Sequence, residues 1–265
     1  MKILILGSSV VQLEAVEYLA TKNVDIHVLS NKNPALLIRF NFRFEKIDIR
    51  DVNRVEKYCR ENQIDSVYSV GSDFGLQTSC EVSERLGLNH FIPYSIAQKL
   101  QNKKWLRNFL NENNISFVDF KIVSLAEDLN SWNIFPCVVK PVDSQGQRGV
   151  SFVNNKKEIA DAFQKAIIYS INKEVIVEAF IPGNEISVNL FLDKGKIRHF
   201  FITNRITAEN IKMGIPWKHI IPSSISENQG NEVFEMCKKV VKKASISEGP
   251  VYFQMKYNET QVKII

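Results

Sequence analysis

Residues Phe135 to Val150, reading FPCVVKPVDSQGQRGV, restrict the fold more than any other stretch of this chain. Cys137-Val138-Val139 is a short apolar run rich in β-branched residues, which reads as a buried strand. Lys140 ends the run, and Pro141, having no N–H for a ladder, stops the strand there. A polar loop follows with two glycines, Gly146 and Gly149, and one arginine, Arg148; a second strand, Val150 to Val153, leaves it. Strand, lysine, glycine loop, strand is able to hold a polyphosphate. The glycines let backbone N–H groups approach the oxygens and the cations offset the charge. A plain hairpin with a solvated lysine has the same local pattern, so the other segments must decide.

A chain of 265 residues is longer than one average domain, so two or three lobes are expected. The basic residues behind the net charge of +5 are scattered along the chain, which suits an anionic ligand and argues against nucleic acid as a partner. Cys59, Cys80, Cys137 and Cys237 lie far apart without C-x-x-C spacing and read as reduced core residues, hence a cytoplasmic protein. The apolar run at Ile3–Leu6 is too short for a signal peptide, and no run reaches membrane-spanning length, so no membrane partner is expected.

Ile3–Leu6 is an apolar strand, Gly7-Ser8-Ser9 a turn, and Val10–Ala20 a helix whose expected inner side is Val10, Leu13, Val16, Leu19 and Ala20. Ile26–Leu29 completes a βαβ unit with a parallel sheet. As a dinucleotide site this opening fits badly. With Gly7 as the first glycine of G-x-G-x-x-G, Ser9 and Gln12 take the other two positions, and the second strand ends at Ser30-Asn31 rather than at an acid. A small anion on Gly7 and Ser8, at the positive end of the helix, remains a candidate ligand. Asp51 is read as the cap of a helix with Val55, Tyr58 and Cys59 inward, and Ser66–Val70 as a strand. The loop Gly71-Ser72-Asp73-Phe74 at that strand's carboxyl end is where open α/β sheets place ligands, so Ser72 and Asp73 are candidates for the substrate side. Asp73 serves equally well as the N-cap of the next helix, which runs to Leu86 with Gly87 as C-cap.

From Ser95 to Asn113 the periodicity is helical, and Lys103 and Arg107, four apart, share a face. Two cations without an acidic partner could grip phosphate or stand in solvent. Ser116–Val123 and Phe135–Lys140 begin a new sheet, on which a helix over Lys156–Ile171 is expected to pack. Glu174–Glu178 is a strand; Ile186–Leu192 and Ile197–Thr203 form a hairpin around Asp193–Lys196, with Arg205 just past it. A helix over Glu232–Ala244 precedes the strand Val251–Tyr257, on which Gln254 and Lys256 share a face, and Val262–Ile265 opens another strand.

In this order the motifs resemble the ATP-grasp superfamily, in particular the carboxylate–amine ligases and the carbamoyl-phosphate-synthetase-like members. They are Asn102-Lys103-x-x-x-Arg107, Pro136-Cys-Val-Val-Lys140-Pro141 with Gly146 and Gly149, Glu178-x-Phe180-Ile181-Pro182-Gly183-x-Glu185, and Gly249-Pro250-Val251-Tyr-Phe-Gln254. The resemblance implies an α/β and α+β chain: a Rossmann-like, pre-ATP-grasp parallel sheet over 1–95, then a two-lobed ATP-grasp fold over 96–265. Its small lobe would span about 116–180 and its large lobe about 181–265. It also implies site roles. Lys103 and Lys140 would bind the ATP phosphates, and the loop Ser144, Gln145, Gly146 to Gly149 would close over them. Glu178 and the backbone of Phe180 and Ile181 would hold the adenine edge, and Glu185 the ribose hydroxyls. Arg205 would contact an acylphosphate, and Gln254 would be the first ligand of Mg²⁺ (or Mn²⁺).

The family's following strand ends in Glu-x-Asn and an arginine, which would come directly after Ile265. The expectation is therefore a shortened form of a longer protein or one without full activity. The implied reaction is ATP-dependent: a carboxylate becomes an acylphosphate, and an amine displaces the phosphate to form an amide. The substrates would be small molecules, and a homodimer is a default. A nucleotide-binding sensor or scaffold without catalysis is the rival reading.

Overall fold

The computed structural model describes residues 1–207 and 216–265. The chain divides into two compact units, Met1–Lys99 and Leu100–Ile265.

The first unit is an α/β layer. Strands β1 (Lys2–Leu6), β2 (Asp25–Leu29), β3 (Arg43–Glu45) and β4 (Ser66–Tyr68) form an all-parallel sheet in the order β3-β2-β1-β4. Helices α1 (Val10–Ala20), α2 (Val52–Asn62), α3 (Asp73–Leu86) and α4 (Tyr94–Gln101) complete it. The strands β1 and β2 are buried on both faces, which is why they read as unbroken apolar runs. Strand order reverses between β1 and β4, so their carboxyl-end loops flank the place where such sheets bind ligands.

Two expectations for α1 are corrected. Val10 and Ala20 are exposed, and the buried residues of this helix are Gln12 and Val16. The helix start is set by Ser9, so Val10 lies on the first turn, outside the stripe that meets the sheet. As expected, Asp51 caps α2, its carboxylate accepting from Arg54 N at 3.1 Å, and Gly87 ends α3 in the left-handed region at φ 66°.

The second unit opens with the last two residues of α4, and Asn102 separates that helix from α5 (Lys103–Glu112). The single helix read over this stretch is thus two helices. Asn102 is extended (φ −90°, ψ 110°) and its side chain accepts from Trp105 N at 3.0 Å, making it the N-cap of α5.

Strands β5 (Phe120–Val123), β6 (Cys137–Pro141), β7 (Ser151–Val153) and β8 (Val175–Ala179) form an antiparallel sheet in the order β5-β8-β6-β7. Between β7 and β8, α6 (Ile159–Ile168) covers one face; the predicted Lys156 start is a separate short 3₁₀ turn. Period-2 alternation splits β6 and β8 cleanly. Cys137, Val139, Val175 and Val177 join Ala162, Phe163 and Ala166 in the core, which leaves Lys140 and Glu178 on the opposite face. Pro141 closes β6 from within, paired with Val175 rather than following the strand.

Strands β9 (Asn184–Asp193), β10 (Lys196–Thr207) and β11 (Pro216–Ile220), helix α7 (Glu227–Lys243), and strands β12 (Gly249–Tyr257) and β13 (Val262–Ile264) complete the unit. The sheet order is β11-β10-β9-β12-β13, antiparallel throughout. The stripe Val233, Met236, Cys237, Val240, Val241 of α7 is buried at helical spacing, and α7 packs on β10 and β13. Ile186, Val188, Leu190 and Leu192 of β9 are buried on one face; Glu185, Ser187, Asn189 and Phe191 occupy the other. The strands β3 and β11 are not legible as strands in the sequence. β3 has three residues, and every position of β11 is exposed, so neither carries an apolar alternation. Mixed parallel and antiparallel sheets of this kind agree with the α/β and α+β class read from the sequence. No described helix is long and apolar enough to cross a membrane, and all four cysteines are buried and free.

Candidate functional site

Two charged clusters lie in the second unit. The first is centred on Glu178, which is 6% exposed. Its Oε1 is paired with Lys140 Nζ from β6, and its Oε2 accepts from Arg107 Nε and Nη2 on α5, both at 3.1 Å. Arg107 Nη1 continues to the carbonyl of Ile264 in β13 at 3.2 Å. Burial by itself would raise the Glu178 pKa; the facing Lys140 and Arg107 outweigh it and hold the carboxyl below its ordinary value. Arg107 therefore corrects the reading of an unpartnered cation: it has an acidic partner and is buried, neither gripping from a surface nor standing in solvent.

Lys103 sits at the first position of α5. Its backbone N–H donates to Val142 O at 2.9 Å and its ammonium to Ser144 O at 2.6 Å, which ties the helix start to the loop after β6. That loop turns through left-handed positions at Gly146 (φ 63°), Gln147 (φ 58°) and Gly149 (φ 74°). Gln145 Nε2 donates to Gln101 Oε1 at 3.0 Å, and Arg148 Nε to Gln145 O at 3.2 Å. Lys103 is thus bonded to the start of the glycine loop, two to four residues past Lys140 in the chain, while the loop's end at Gly149 lies against Ala166 of α6.

Phe180 to Gly183 joins the two sheets. The N–H of Phe180 donates to Pro136 O at 3.0 Å, so that amide is committed. The Glu178 carboxylate is paired with two cations, Lys140 and Arg107. The Phe180 ring lies edge-on to Phe152 (4.9 Å) and carries the Lys256 ammonium over its face at 4.4 Å. Burial holds the Lys256 pKa below the ordinary lysine value, against the pull of Glu185.

The second cluster lies on the face of the larger sheet that carries Glu185. One oxygen of Glu185, Oε2, accepts from Arg205 Nη1 and, at 3.0 Å, from Gln254 Nε2. Strand register places them: Lys256 is paired with Glu185, Gln254 with Ser187, and Asn204, beside Arg205, with Ile186. Arg205 is within β10 rather than past its end. Thr203 Oγ1 and His219 Nδ1 (2.9 Å) and Ser187 Oγ and Tyr252 Oη (3.0 Å) add hydrogen-bonded pairs that the sequence reading missed. Alternation along β9, β10 and β12 was the available signal; His219 had none, because β11 was unread.

The donor set does not make a magnesium site. Mg²⁺ takes about six oxygen ligands in octahedral geometry, and among the described residues no group of three His, Cys, Asp or Glu could hold a metal. Gln254 offers one amide oxygen while its nitrogen is held by Glu185.

In the first unit, Gln12 occupies the place where an anion on the first loop would sit. Its Oε1 accepts from Ser9 N (2.8 Å) and Ser9 Oγ (2.7 Å), and its Nε2 donates to Val70 O at 2.6 Å. A Cβ on Gly7 would stand 3.0 Å from Gln12 Cδ. The loop is filled by the chain itself, and Ser8 is buried with its hydroxyl donating to Lys32 O at 3.3 Å. At the other loop Ser72, not Asp73, caps α3, accepting from Gly75 N at 3.1 Å; Asp73 is the first helical residue.

Residues 133–265, half of the chain, match the family of the ATP-grasp domain. The chain belongs to the ATP-grasp family. Among relatives of this ATP-grasp chain, a phosphoribosylamine–glycine ligase of Pyrococcus horikoshii is 28% identical over 207 residues, 74% of this chain and 47% of that protein. A carbamoyl phosphate synthase large chain of Pseudothermotoga lettingae is 21% identical over 251 residues, 90% of this chain and 22% of that protein. The crystal structure of an L-amino acid ligase from Bacillus licheniformis superposes with a TM-score of 0.84 at 18% identity, over 100% of this chain and 65% of that one. The chain spans about half or less of the length of the curated relatives it matches.

Proposed function

We propose that the second unit binds ATP and serves a ligase reaction. In it a carboxylate oxygen attacks the γ-phosphorus, ADP leaves, and an amine nitrogen then attacks the acyl carbon of the resulting acylphosphate. The C–O bond to phosphate breaks, the amine loses a proton, and an amide and inorganic phosphate are formed. The first unit is the pre-ATP-grasp domain, and the two sheets of the second are the lobes that hold the nucleotide. The substrates are a small-molecule carboxylate and an amine, as the names of the relatives suggest: phosphoribosylamine–glycine ligase and D-alanine–D-alanine ligase each name a carboxylate and an amine.

The single observation that carries this reading is that Lys140 stands next to last in the strand from which the left-handed glycine loop leaves, and that the Lys103 ammonium is bonded to the start of that loop at Ser144 O. Two ammonium groups and a left-handed glycine turn suit three phosphates, and the work required is positioning and charge stabilisation rather than attack by a protein nucleophile. Arg205 is the candidate cation for the acylphosphate. Glu185, its resting partner, would turn to the ribose hydroxyls.

Calorimetric titration with a non-hydrolysable ATP analogue, with NAD as control and with and without Mg²⁺, tests the reading. Saturable analogue binding is expected, and Lys140→Ala should weaken it by about 1–3 kcal/mol, the worth of a charge-assisted contact. Unchanged affinity in that variant, or binding of NAD instead, would remove the assignment.

A further inference from the structure

We propose that Arg107 is the resident counter-ion of Glu178, and that by staying on this carboxylate it lets the Lys140 ammonium leave for a ligand phosphate. The inference rests on the reading of Lys140 as a phosphate-binding residue. It makes Arg107 a positioning residue, acting through Glu178 and Lys140, rather than a phosphate ligand in its own right.

The two cations on Glu178 are not equivalent. Arg107 is 5% exposed, and all three of its guanidinium nitrogens are used: Nε and Nη2 on Glu178 Oε2, and Nη1 on Ile264 O. Ile265 N, the amide of the same peptide unit, donates to Gln254 O at 3.0 Å, so the peptide that receives Arg107 is itself anchored. A planar guanidinium pinned at three points has little freedom. Lys140 is on a flexible four-carbon stem, its side chain is 15% exposed, and it meets Glu178 through a single ammonium. Of the two, Lys140 is the one able to move.

Moving it has a cost that depends on Arg107. A buried carboxylate stripped of its partner is strongly disfavoured and takes up a proton instead. The charged groups that face Glu178 are Lys140 from β6 and Arg107 from α5; β5 presents Phe120 at the paired position. With Arg107 in place, Glu178 stays ionised and compensated when Lys140 turns to phosphate. Without it, Glu178 must either hold Lys140 back or be protonated.

The test is binding of the non-hydrolysable ATP analogue to the 265-residue chain between pH 6 and 8, in buffers of different ionisation enthalpy, with circular dichroism as a check on folding. Wild type is expected to bind without net proton uptake at Glu178. Arg107→Met should bind roughly tenfold or more weakly at the upper pH, take up about one proton per analogue bound, and recover affinity as the pH falls. The double variant Arg107→Met/Glu178→Gln, which has no carboxylate left to compensate, should return to within about threefold of wild type and lose the proton uptake. A weak, pH-independent Arg107→Met that Glu178→Gln does not rescue would make Arg107 a packing residue and overturn the inference. Should Arg107→Met fail to fold, Glu178→Gln alone decides: it removes the competitor for Lys140, so affinity equal to wild type or tighter supports the inference and weaker binding overturns it. If wild type itself does not bind the analogue, the phosphate-binding reading of Lys140 fails and this inference falls with it.

Discussion

The carboxamide of Gln12 meets three groups, the amide and hydroxyl of Ser9 and the carbonyl of Val70, although the side chain is only 2% exposed. In the linear pattern it stands where a dinucleotide loop needs glycine. In the fold it satisfies the amide of the α1 cap that an anion would otherwise meet, and it links the loops after β1 and β4. Gln12→Ala should therefore destabilise the first unit by about 1–3 kcal/mol, the cost of leaving buried polar groups unmet. Urea unfolding checks this; a loss under about 0.5 kcal/mol would mean that water replaces the amide without difficulty. Glu178 teaches a related lesson. Its place in the motif was legible, but not that its side chain is taken by two cations, one of which, Arg107, lies 71 residues away in the chain.

Among the elements, the hairpin of β6 and β7 was readable because its cues are local: an apolar run, a proline and glycines at a turn. The two glycines differ in a way the sequence does not reveal. Gly149, at φ 74°, would direct a Cβ to 2.9 Å from Tyr169 Cδ2 and 3.0 Å from Pro141 Cγ, whereas a Cβ on Gly146 (φ 63°) meets nothing within 4 Å. Gly149→Ala is expected to cost about 1–3 kcal/mol from strain and overpacking together, and Gly146→Ala about 1 kcal/mol from backbone strain alone. Thermal unfolding of the two variants measures the difference; equal shifts would show that the loop repacks around Gly149. The division of residues 94–113 into α4 and α5 was hidden for another reason. The apolar stripe runs through both helices, and only the extended backbone of Asn102 reveals the break.

At the scale of the whole molecule, two buried groups contribute to the response to acid. The partly exposed Asp48 and Glu56, which their arginine partners also hold below their ordinary values, contribute beside them. His27 is fully buried, its Nδ1 2.8 Å from Tyr58 Oη, and burial holds its pKa below the ordinary 6.5. Glu178, paired with Lys140 and Arg107, is held below the ordinary 4.5. Both groups have a depressed pKa in the folded state, so the unfolded chain binds more protons and stability rises with pH. Their contributions are complete above the unfolded values and are lost as the pH falls, first His27 below 6.5 and then Glu178 below 4.5. Denaturant midpoints should be level near neutrality and decline in these two windows. His27→Gln should flatten the upper one, and a decline near pH 6 unaltered by that substitution would assign it to other groups.

By itself the sequence did not reveal β3, β11 or the break between α4 and α5, but it determined most of the strands and helices in their order, the parallel opening, one hairpin of the remainder and the motifs that identify an ATP-grasp chain. Each of these is written in neighbouring residues, as period-2 or helical alternation, caps and turn glycines. The tertiary structure alone decided which charges meet. Arg107 reaches Glu178 and, 157 residues on, the carbonyl of Ile264, while Glu185 collects Arg205 and Gln254 from two other strands. Such pairings depend on burial and on strand register, which remove water and bring distant positions to hydrogen-bond distance, and neither leaves a trace in local spacing.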